Sequence, residues 1–287
     1  MRPQGIRPVI RRADLTFARL ALVLCVLASD AAFNLAAAQA KLDATYSATL
    51  LGLPFGEIAW TVELDGKRFT TTATGGLAGL LRIFADGHGN VTADGTLSQG
   101  RPAASNFALH VIAGKWTDDV RIVFHGGKAQ EYVAGPAPEP KPNQVPITDA
   151  DRFGVFDPMT ALLIPVAGAG DTAVPAACEH TIPVFDGHTR YNLRLAFKRA
   201  ETVTTPAGYH GPVMVCSVKF FPVAGYDPKH FLVTYLAAQP DMEVWLAPFS
   251  RLMVPYRLSV PTPFGLGVLQ ANKFESLPAG SVTTKLN

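Results

Sequence analysis

Cys178 and Cys216 are the residues of this chain whose type most directly indicates chemistry. The third cysteine, Cys25, lies in an N-terminal apolar run of the kind that is removed during export. An even number of cysteines in an exported chain favours a disulfide, and no C-x-x-C spacing indicates a redox pair. A Cys178–Cys216 bridge would close a loop of 216 − 178 = 38 residues. In the chain-entropy account it would stabilise the fold by about 3–4 kcal/mol.

The seven histidines do not form a metal-binding pattern. None are spaced as H-x-H, H-x-x-x-H or H-E-x-x-H, so we expect no metal and no other cofactor. The hydrolase motifs G-x-S-x-G and S-x-x-K are also missing from the sequence. His180 and His188 flank a predicted hairpin turn and are interpreted as polar surface residues.

Neighbouring carboxylates and one dispersed set of residues were weighed as an active site. Asp118 and Asp119 are adjacent on a predicted strand, so they point to opposite faces and cannot act as an acid and base pair. A hydrolase with a dispersed site would draw on Cys216, His210 and Asp227, which surround a segment rich in glycine and proline. This enzyme hypothesis is kept as an alternative to a protein without catalytic activity.

The first 40 residues have the three-part layout of a secretory signal peptide. A basic leader with five arginines precedes the apolar run of residues 20–28, and small residues end at Ala40, after which we expect cleavage. The apolar run is too short to span a bilayer, and Asp30 prevents its extension. The sequence therefore predicts an exported, periplasmic protein.

Cleavage would leave residues 41–287, enough for one β-rich domain with a substantial core. The formal charge of +2 would fall to −1, because the signal peptide carries five arginines against two aspartates. Such a balance excludes a typical nucleic-acid-binding protein, which needs a basic surface.

The predicted elements are mainly strands: short runs of Val, Thr, Phe and Tyr separated by turn residues. Asp65-Gly66 and Asp186-Gly187 predict tight hairpin turns. Strand patterns include residues 104–112, 116–124 and 231–236. Five prolines make residues 135–146 a stiff surface loop.

Two short helices are predicted among these strands. The spacing of Leu77, Leu80, Leu81 and Phe84 indicates an apolar helix face within residues 75–84. Asp157 as N-cap and Pro158 at the first helical position predict a second helix over residues 159–163.

Turn and strand motifs are distributed along nearly all of the chain beyond the signal peptide: Tyr46, Gly52-Leu53-Pro54-Phe55-Gly56, Asp157-Pro158, Phe185-Asp186-Gly187, Tyr191, Tyr209, Gly211, Cys216, Pro222, Gly225-Tyr226, Val244-Trp245-Leu246 and Val254-Pro255. With this set the chain resembles the proteobacterial family of unknown function DUF3108. The resemblance implies a periplasmic, mostly β protein with a single curved antiparallel sheet, an open or spiral β-barrel-like fold. It transfers no active site.

A curved sheet has to fill or cover its concave face, and helices can serve as the cover. Should space remain, it would suit a lipid chain or an apolar peptide. The residues expected to line or cover such a cavity are Trp60, Phe69, Leu77, Leu80, Leu81, Phe84, Phe107 and Trp116. The leading hypothesis is a non-catalytic envelope protein that binds a lipid or a protein and has peripheral membrane association or none. An outer-membrane β-barrel is a further alternative.

Overall fold

Fifteen β-strands build one sheet in the computed structural model, which describes residues 40–78, 87–135, 143–166 and 173–278. The predicted signal peptide lies outside the described residues, except for Ala40, with which the first strand begins. The strands are β1 (Ala40–Leu50), β2 (Leu53–Asp65), β3 (Arg68–Leu77), β4 (Gly87–Ser98), β5 (Arg101–Ala113), β6 (Trp116–His125), β7 (Lys128–Gly135), β8 (Ile164–Pro165), β9 (Thr181–Phe185), β10 (Arg190–Thr204), β11 (Ala207–Gly208), β12 (His210–Ala224), β13 (Met242–Phe249), β14 (Leu252–Thr262) and β15 (Gly265–Pro278).

Along the sheet the strands follow the order β7-β6-β5-β4-β3-β2-β1-β15-β14-β13-β12-β10-β9. Neighbours along this path are antiparallel, while β8 pairs with β14 and the short β11 pairs in parallel with β15. The expectation of a mostly β, curved antiparallel sheet is thus confirmed.

Sequence alternation explains which face of each strand is buried. On β1, Leu42, Ala44 and Tyr46 are buried, and the polar residues between them are only partly so. Successive strand residues point to opposite faces, so this period of two directs one apolar row into the concave side. The same alternation continues through β2, β3 and β6.

The two edge strands, β7 and β9, approach each other and nearly close the sheet into a barrel. The segment after the second gap bridges them: Phe153 forms a β-bridge with Lys128, and Phe156 forms one with Val184. The imidazole Nε2 of His188 lies 2.9 Å from Asp118 Oδ1 across the same seam. Asp119, on the opposite face, contacts His110 instead, as the alternation predicts.

The predicted disulfide is present. It links Cys178, in the 3-10 turn Pro175–Cys178, to Cys216 on β12, and both cysteines are fully buried. The cluster around it contains Ile164, Val184 and Leu246. The bridge therefore fastens the loop before β9 to the sheet.

The helix predictions need correction. Residues 159–163 form only the three-residue 3-10 turn Thr160–Leu162, because the chain turns into the barrel and pairs as β8 immediately afterwards. Residues 75–77, which were assigned to a helix, continue β3. Residues 79–84 of that predicted helix lie outside the described residues.

Residues 231–236 were predicted as a strand, but they belong to the helix α1 (Phe231–Ala238). A short apolar run does not distinguish a strand from a helix. The N-cap of this helix is His230, which makes no side-chain capping hydrogen bond. Asp227 forms the turn before it, where its carboxylate accepts a hydrogen bond from the Lys229 N–H and its carbonyl accepts one from the His230 N–H.

The antiparallel order gives the sheet two ends. The end that carries the connections after β1, β3, β5 and β14 is called the upper end. The lower end carries the connections after β2, β4, β6 and β13.

Candidate functional site: an apolar cavity at the upper end

The concave face of the sheet is filled at the lower levels and open at the upper levels. Counting upward, one inward-facing row consists of Val62, Thr71, Ala93 and Phe107, all buried. The next row consists of Trp60, Ala73, Val91 and Leu109. The first of these rows packs into the core, and the second forms the lower wall of an open space.

Glycine replaces side chains in the two highest rows. Ile58, Gly75, Gly89 and Val111 form one row, and Gly56, Leu77, Gly87 and Ala113 form the row above it. Half of these inward positions therefore carry no side chain. Glycine inside a strand commonly marks a place where a ligand or another backbone approaches closely.

Neighbouring side chains lie along the wall because the glycines leave room for them. A Cβ added at Gly75 would be 3.0 Å from Ile58 Cγ1, and one added at Gly87 would be 3.0 Å from Leu77 Cγ. At Gly89 it would be 2.9 Å from Val111 Cγ2. With these side chains folded against the sheet, the space in front of them stays empty.

The floor of this space is the chain segment that crosses the barrel at residues 157–165. Met159 and Leu162 from this segment face the space, and Asp157 holds their turn in place. Asp157 Oδ1 accepts hydrogen bonds from the N–H groups of Met159 and Thr160, both at 2.9 Å, and Oδ2 accepts one from the Thr160 hydroxyl. The aspartate thus performs the capping role that the sequence predicted, although on a shorter turn.

Asp157 is fully buried, and its burial raises its pKa to about 6 in spite of these hydrogen bonds. The carboxyl beneath the cavity therefore changes its charge in a mildly acidic range.

The resulting cavity has a volume of about 450 Å³, which lies within the range of small-molecule sites, roughly 300–1,000 Å³. Its wall is almost entirely apolar. Besides the two glycine rows, the lining includes Tyr46, Ala48, Trp60, Ala73, Leu258 and Leu269.

The polar atoms of the largest lining side chains are already paired. The Tyr46 hydroxyl donates to the Pro255 carbonyl at 2.6 Å, and Trp60 Nε1 donates to Thr71 Oγ1 at 2.6 Å. Burial, with a smaller contribution from Tyr256, raises the pKa of Tyr46, which keeps this hydroxyl neutral. The lower part of the cavity therefore offers a ligand apolar contact and no charge.

The residues predicted for the cavity are divided among several places. Trp60 and Leu77 line it. Phe69 and Phe107 are buried in the core below it. Trp116, whose side chain is 52% exposed, does not line the cavity, because it begins β6 at the upper margin of the sheet. Leu80, Leu81 and Phe84 lie outside the described residues.

Sequence reasoning missed the glycines, although the sequence carried a signal for them. Gly75-Gly76 and Gly87-x-Gly89 stand within or beside strand-forming residues. Glycines in the interior of a strand would have indicated a sheet face without side chains, which a ligand can approach closely. The signal was missed because Gly75 and Gly76 were predicted to belong to a helix.

The dispersed enzyme site is not assembled. Cys216 is bonded to Cys178 and has no free thiol, which overturns its proposed role as a nucleophile. His210 begins the 15-residue β12, and Asp227 follows its other end. His210 Nδ1 contacts Thr204 Oγ1 at 2.6 Å.

Two features are absent from the described ranges. No three His, Cys, Asp or Glu side chains there lie close enough together to hold a metal ion. In the same ranges no helix combines the length and apolar character needed to cross a bilayer, and α1 has eight residues.

Comparison with known proteins gives one family and two similar solved structures. The family model described as Protein of unknown function (DUF3108) matches residues 44–271. The fold is similar to a beta-barrel-like protein of the domain of unknown function DUF1849 from Brucella abortus, with 8% identity and a TM-score of 0.43, over 83% of this chain and 97% of that one. A protein from Parabacteroides distasonis described as a putative lipoprotein has 10% identity and a TM-score of 0.29, over 83% of this chain and 96% of the other. No curated protein matches the chain.

Proposed function

Since the chain belongs to the DUF3108 family, whose function is unknown, we propose from its own cavity that it is a non-catalytic envelope protein that holds the acyl chain of a lipid. The apolar cavity of about 450 Å³ is the observation that carries this proposal. The compartment we propose is the periplasm, and the buried Cys178–Cys216 disulfide supports an exported protein.

The shape of the site favours an amphiphile over a polar ligand. Among the described lining residues, the acidic and basic ones are Glu57 and His88, and both lie at the level of the upper rows. An acyl chain would displace water from apolar wall, which is favourable by about 0.8 kcal/mol for each buried CH₂ group. The head group would remain at the upper end of the sheet.

The outward face supports an aqueous location for the protein. On β2, Glu57 and Glu63 alternate with inward residues and are exposed, so this face presents charges. An outer-membrane barrel instead presents an apolar band to the lipid. Purification without detergent would separate the two alternatives.

A binding titration with a fluorescent long-chain fatty acid tests the proposal. The variant Ala73→Leu adds bulk inside the cavity, and Thr70→Leu places the same leucine side chain on the outward face of the same strand. We expect saturable binding by the wild type and by Thr70→Leu, and at least tenfold weaker binding by Ala73→Leu. Equal binding by all three proteins would show that the probe does not enter the cavity.

Native mass spectrometry and lipid extraction of the gently purified protein would identify the natural ligand. A bound mass that is recovered as lipid supports the proposal, and a peptide in its place would assign the cavity to a protein partner. To test for catalysis, ester substrates would be screened against the wild type and His210→Ala. Turnover that His210→Ala abolishes would overturn the non-catalytic assignment.

A further inference from the structure

The upper end of the sheet exposes large apolar side chains around the cavity. We call the following six residues the apolar rim: Leu51, Leu53, Phe55, Trp116, Phe264 and Leu266. Their exposed fractions are 68%, 71%, 36%, 52%, 74% and 43%, respectively. They come from three separate connections, β1–β2, β5–β6 and β14–β15, so the antiparallel order collects them at one end.

The rim and the cavity are continuous. Phe55 belongs to both. Ala113, the last residue of β5 before the β5–β6 turn, also lines the cavity. A Cβ added at Gly265 would be 2.2 Å from Leu51 Cδ2, so the Leu51 side chain lies directly on the β14–β15 turn. Neighbouring turns thus form one apolar margin beside the binding site.

Leu51 is exposed at a position that disfavours leucine. Its φ of 53° and the φ of 80° at Gly52 place both residues in the left-handed region. Turns of this kind prefer Asn or Asp followed by Gly, because a leucine there is strained. Its contact with the β14–β15 turn leaves 68% of Leu51 exposed, which points to a further contact made in function.

The lower end provides an internal comparison. The β4–β5 turn has the same conformation, with φ of 53° at Gln99 and 77° at Gly100, and its tip is polar. The other lower turns present Lys67, His125 and Arg251. The hairpin turns of the lower end thus have polar tips, and the large apolar side chain exposed beside one of them, Phe153, comes from the segment that bridges β7 and β9.

We infer that the apolar rim inserts shallowly into the surface of a lipid bilayer, from which the cavity exchanges its ligand. This inference rests on the proposed function, because a protein that holds acyl chains must take them from a bilayer. A bilayer that contacts the rim would lie next to the cavity. The rim residues stand on separate turn tips, which suits a fluid surface better than one rigid partner. Lys115 lies beside Trp116, and Trp and Lys are typical of residues at a membrane–water interface.

Co-sedimentation of the purified protein with vesicles of phosphatidylethanolamine and phosphatidylglycerol tests the inference. The rim variant combines Leu51→Asn with Phe264→Ser, and the matched control is Gln99→Asn at the turn of the same conformation. We expect vesicle binding by the wild type and the control, and at least tenfold weaker binding by the rim variant. Quenching of tryptophan fluorescence by brominated lipid should follow the same order, and comparison with Trp116→Phe separates the contribution of Trp116 from those of Trp60 and Trp245.

The fatty-acid titration, repeated without vesicles, separates the two proposals. The rim variant should still bind the soluble probe, since neither substitution lies in the glycine rows. Vesicle binding that is equal in rim variant and control, or absent in the wild type, would overturn the rim assignment while leaving the cavity's function intact. If the wild type does not bind the probe but its vesicle binding depends on the rim, only the cavity's function is overturned.

Sedimentation velocity would reveal the competing occupant, a second copy of the chain. A dimer of the wild type that dissociates in the rim variant, but persists in Gln99→Asn, would assign the rim to self-association and overturn the inference.

Discussion

The upper and lower halves of the sheet are built from the same strands but use their inward positions differently. In the lower rows, Val62, Ala93 and Phe107 pack into a continuous core. In the upper rows, glycines leave the wall without side chains and a cavity opens. The period of two that forms the sheet continues through both halves. Side-chain volume at fixed positions, and not strand pattern, therefore separates scaffold from site.

The turns repeat this division. Gln99-Gly100 at the lower end and Leu51-Gly52 at the upper end share one backbone conformation. Only the upper turn exposes a leucine, and it does so beside the cavity. Substitutions at matched positions in the two halves can test whether the difference is functional.

Removing a core aromatic should have the largest effect. Phe107→Ala leaves a void among buried neighbours, and we expect a loss of about 3–5 kcal/mol in the free energy of unfolding. Leu109→Ala, two residues along the same face of β5, enlarges a cavity that already exists and should cost at most about 2 kcal/mol. Urea denaturation measures both. Equal losses would mean that the upper rows are as tightly packed as the lower ones.

The disulfide should stabilise the scaffold without affecting the site. Replacing Cys178 and Cys216 together by alanine should lower the free energy of unfolding by about 3–4 kcal/mol, since the bridge closes a 38-residue loop. Fatty-acid binding measured well below the unfolding midpoint should be unchanged, because neither cysteine lines the cavity. A weaker affinity of the folded variant would show that the bridge also shapes the site.

The floor of the cavity should make stability depend on pH. Burial raises the pKa of Asp157 to about 6, above its ordinary value of about 4 in the unfolded chain. The folded state therefore holds this proton more tightly, and the stability that the protonated carboxyl contributes is complete below about pH 4. It is lost as the pH rises from about 4 to about 6, by about 2–3 kcal/mol in all.

Asp157→Asn should remove this dependence, because an amide keeps an acceptor for the N–H groups of Met159 and Thr160 but does not ionise. Urea midpoints of both proteins across this window measure the difference. Subtracting the two curves cancels groups that titrate in both, such as His180, whose pKa burial lowers. A pH-independent difference would mean that Asp157 does not titrate there.

Sequence reasoning predicted the scaffold better than the site, for a physical reason. The alternation along β1 and β6 and the Asp-Gly turns are local signals, and the two exported cysteines had one partner each. The cavity depends on register: Gly75 faces Gly89 across two strands, and only the pairing of β3 with β4 reveals that both lie at the same level. A single sequence shows glycines but not which of them meet.

Helix and strand assignments failed where local signals conflicted with the surroundings. At residues 231–236 the run of aromatic and β-branched residues predicted a strand, and the helix that forms there starts after His230 without a side-chain cap that could have indicated it. At Asp157 the cap was predicted, and the following turn stayed short because the chain joins β14 through β8. The aromatic Trp116 follows the inward parity of β6 but lies at the sheet margin, where burial ends.

The smallest expected effect is the most direct test of the two turns. Leu51→Asn and Gln99→Asn both place asparagine, which tolerates the left-handed region, at a position with φ of 53°. Each should raise the free energy of unfolding by about 0.5–1 kcal/mol, measured by urea denaturation without lipid. If both turns gain equally, the leucine at residue 51 contributes nothing to folding that asparagine cannot replace, and its presence requires a contact outside the folded chain. If Leu51→Asn instead lowers stability while Gln99→Asn raises it, the packing of Leu51 on Gly265 is structural, and the rim loses the residue that argues most strongly for an external partner.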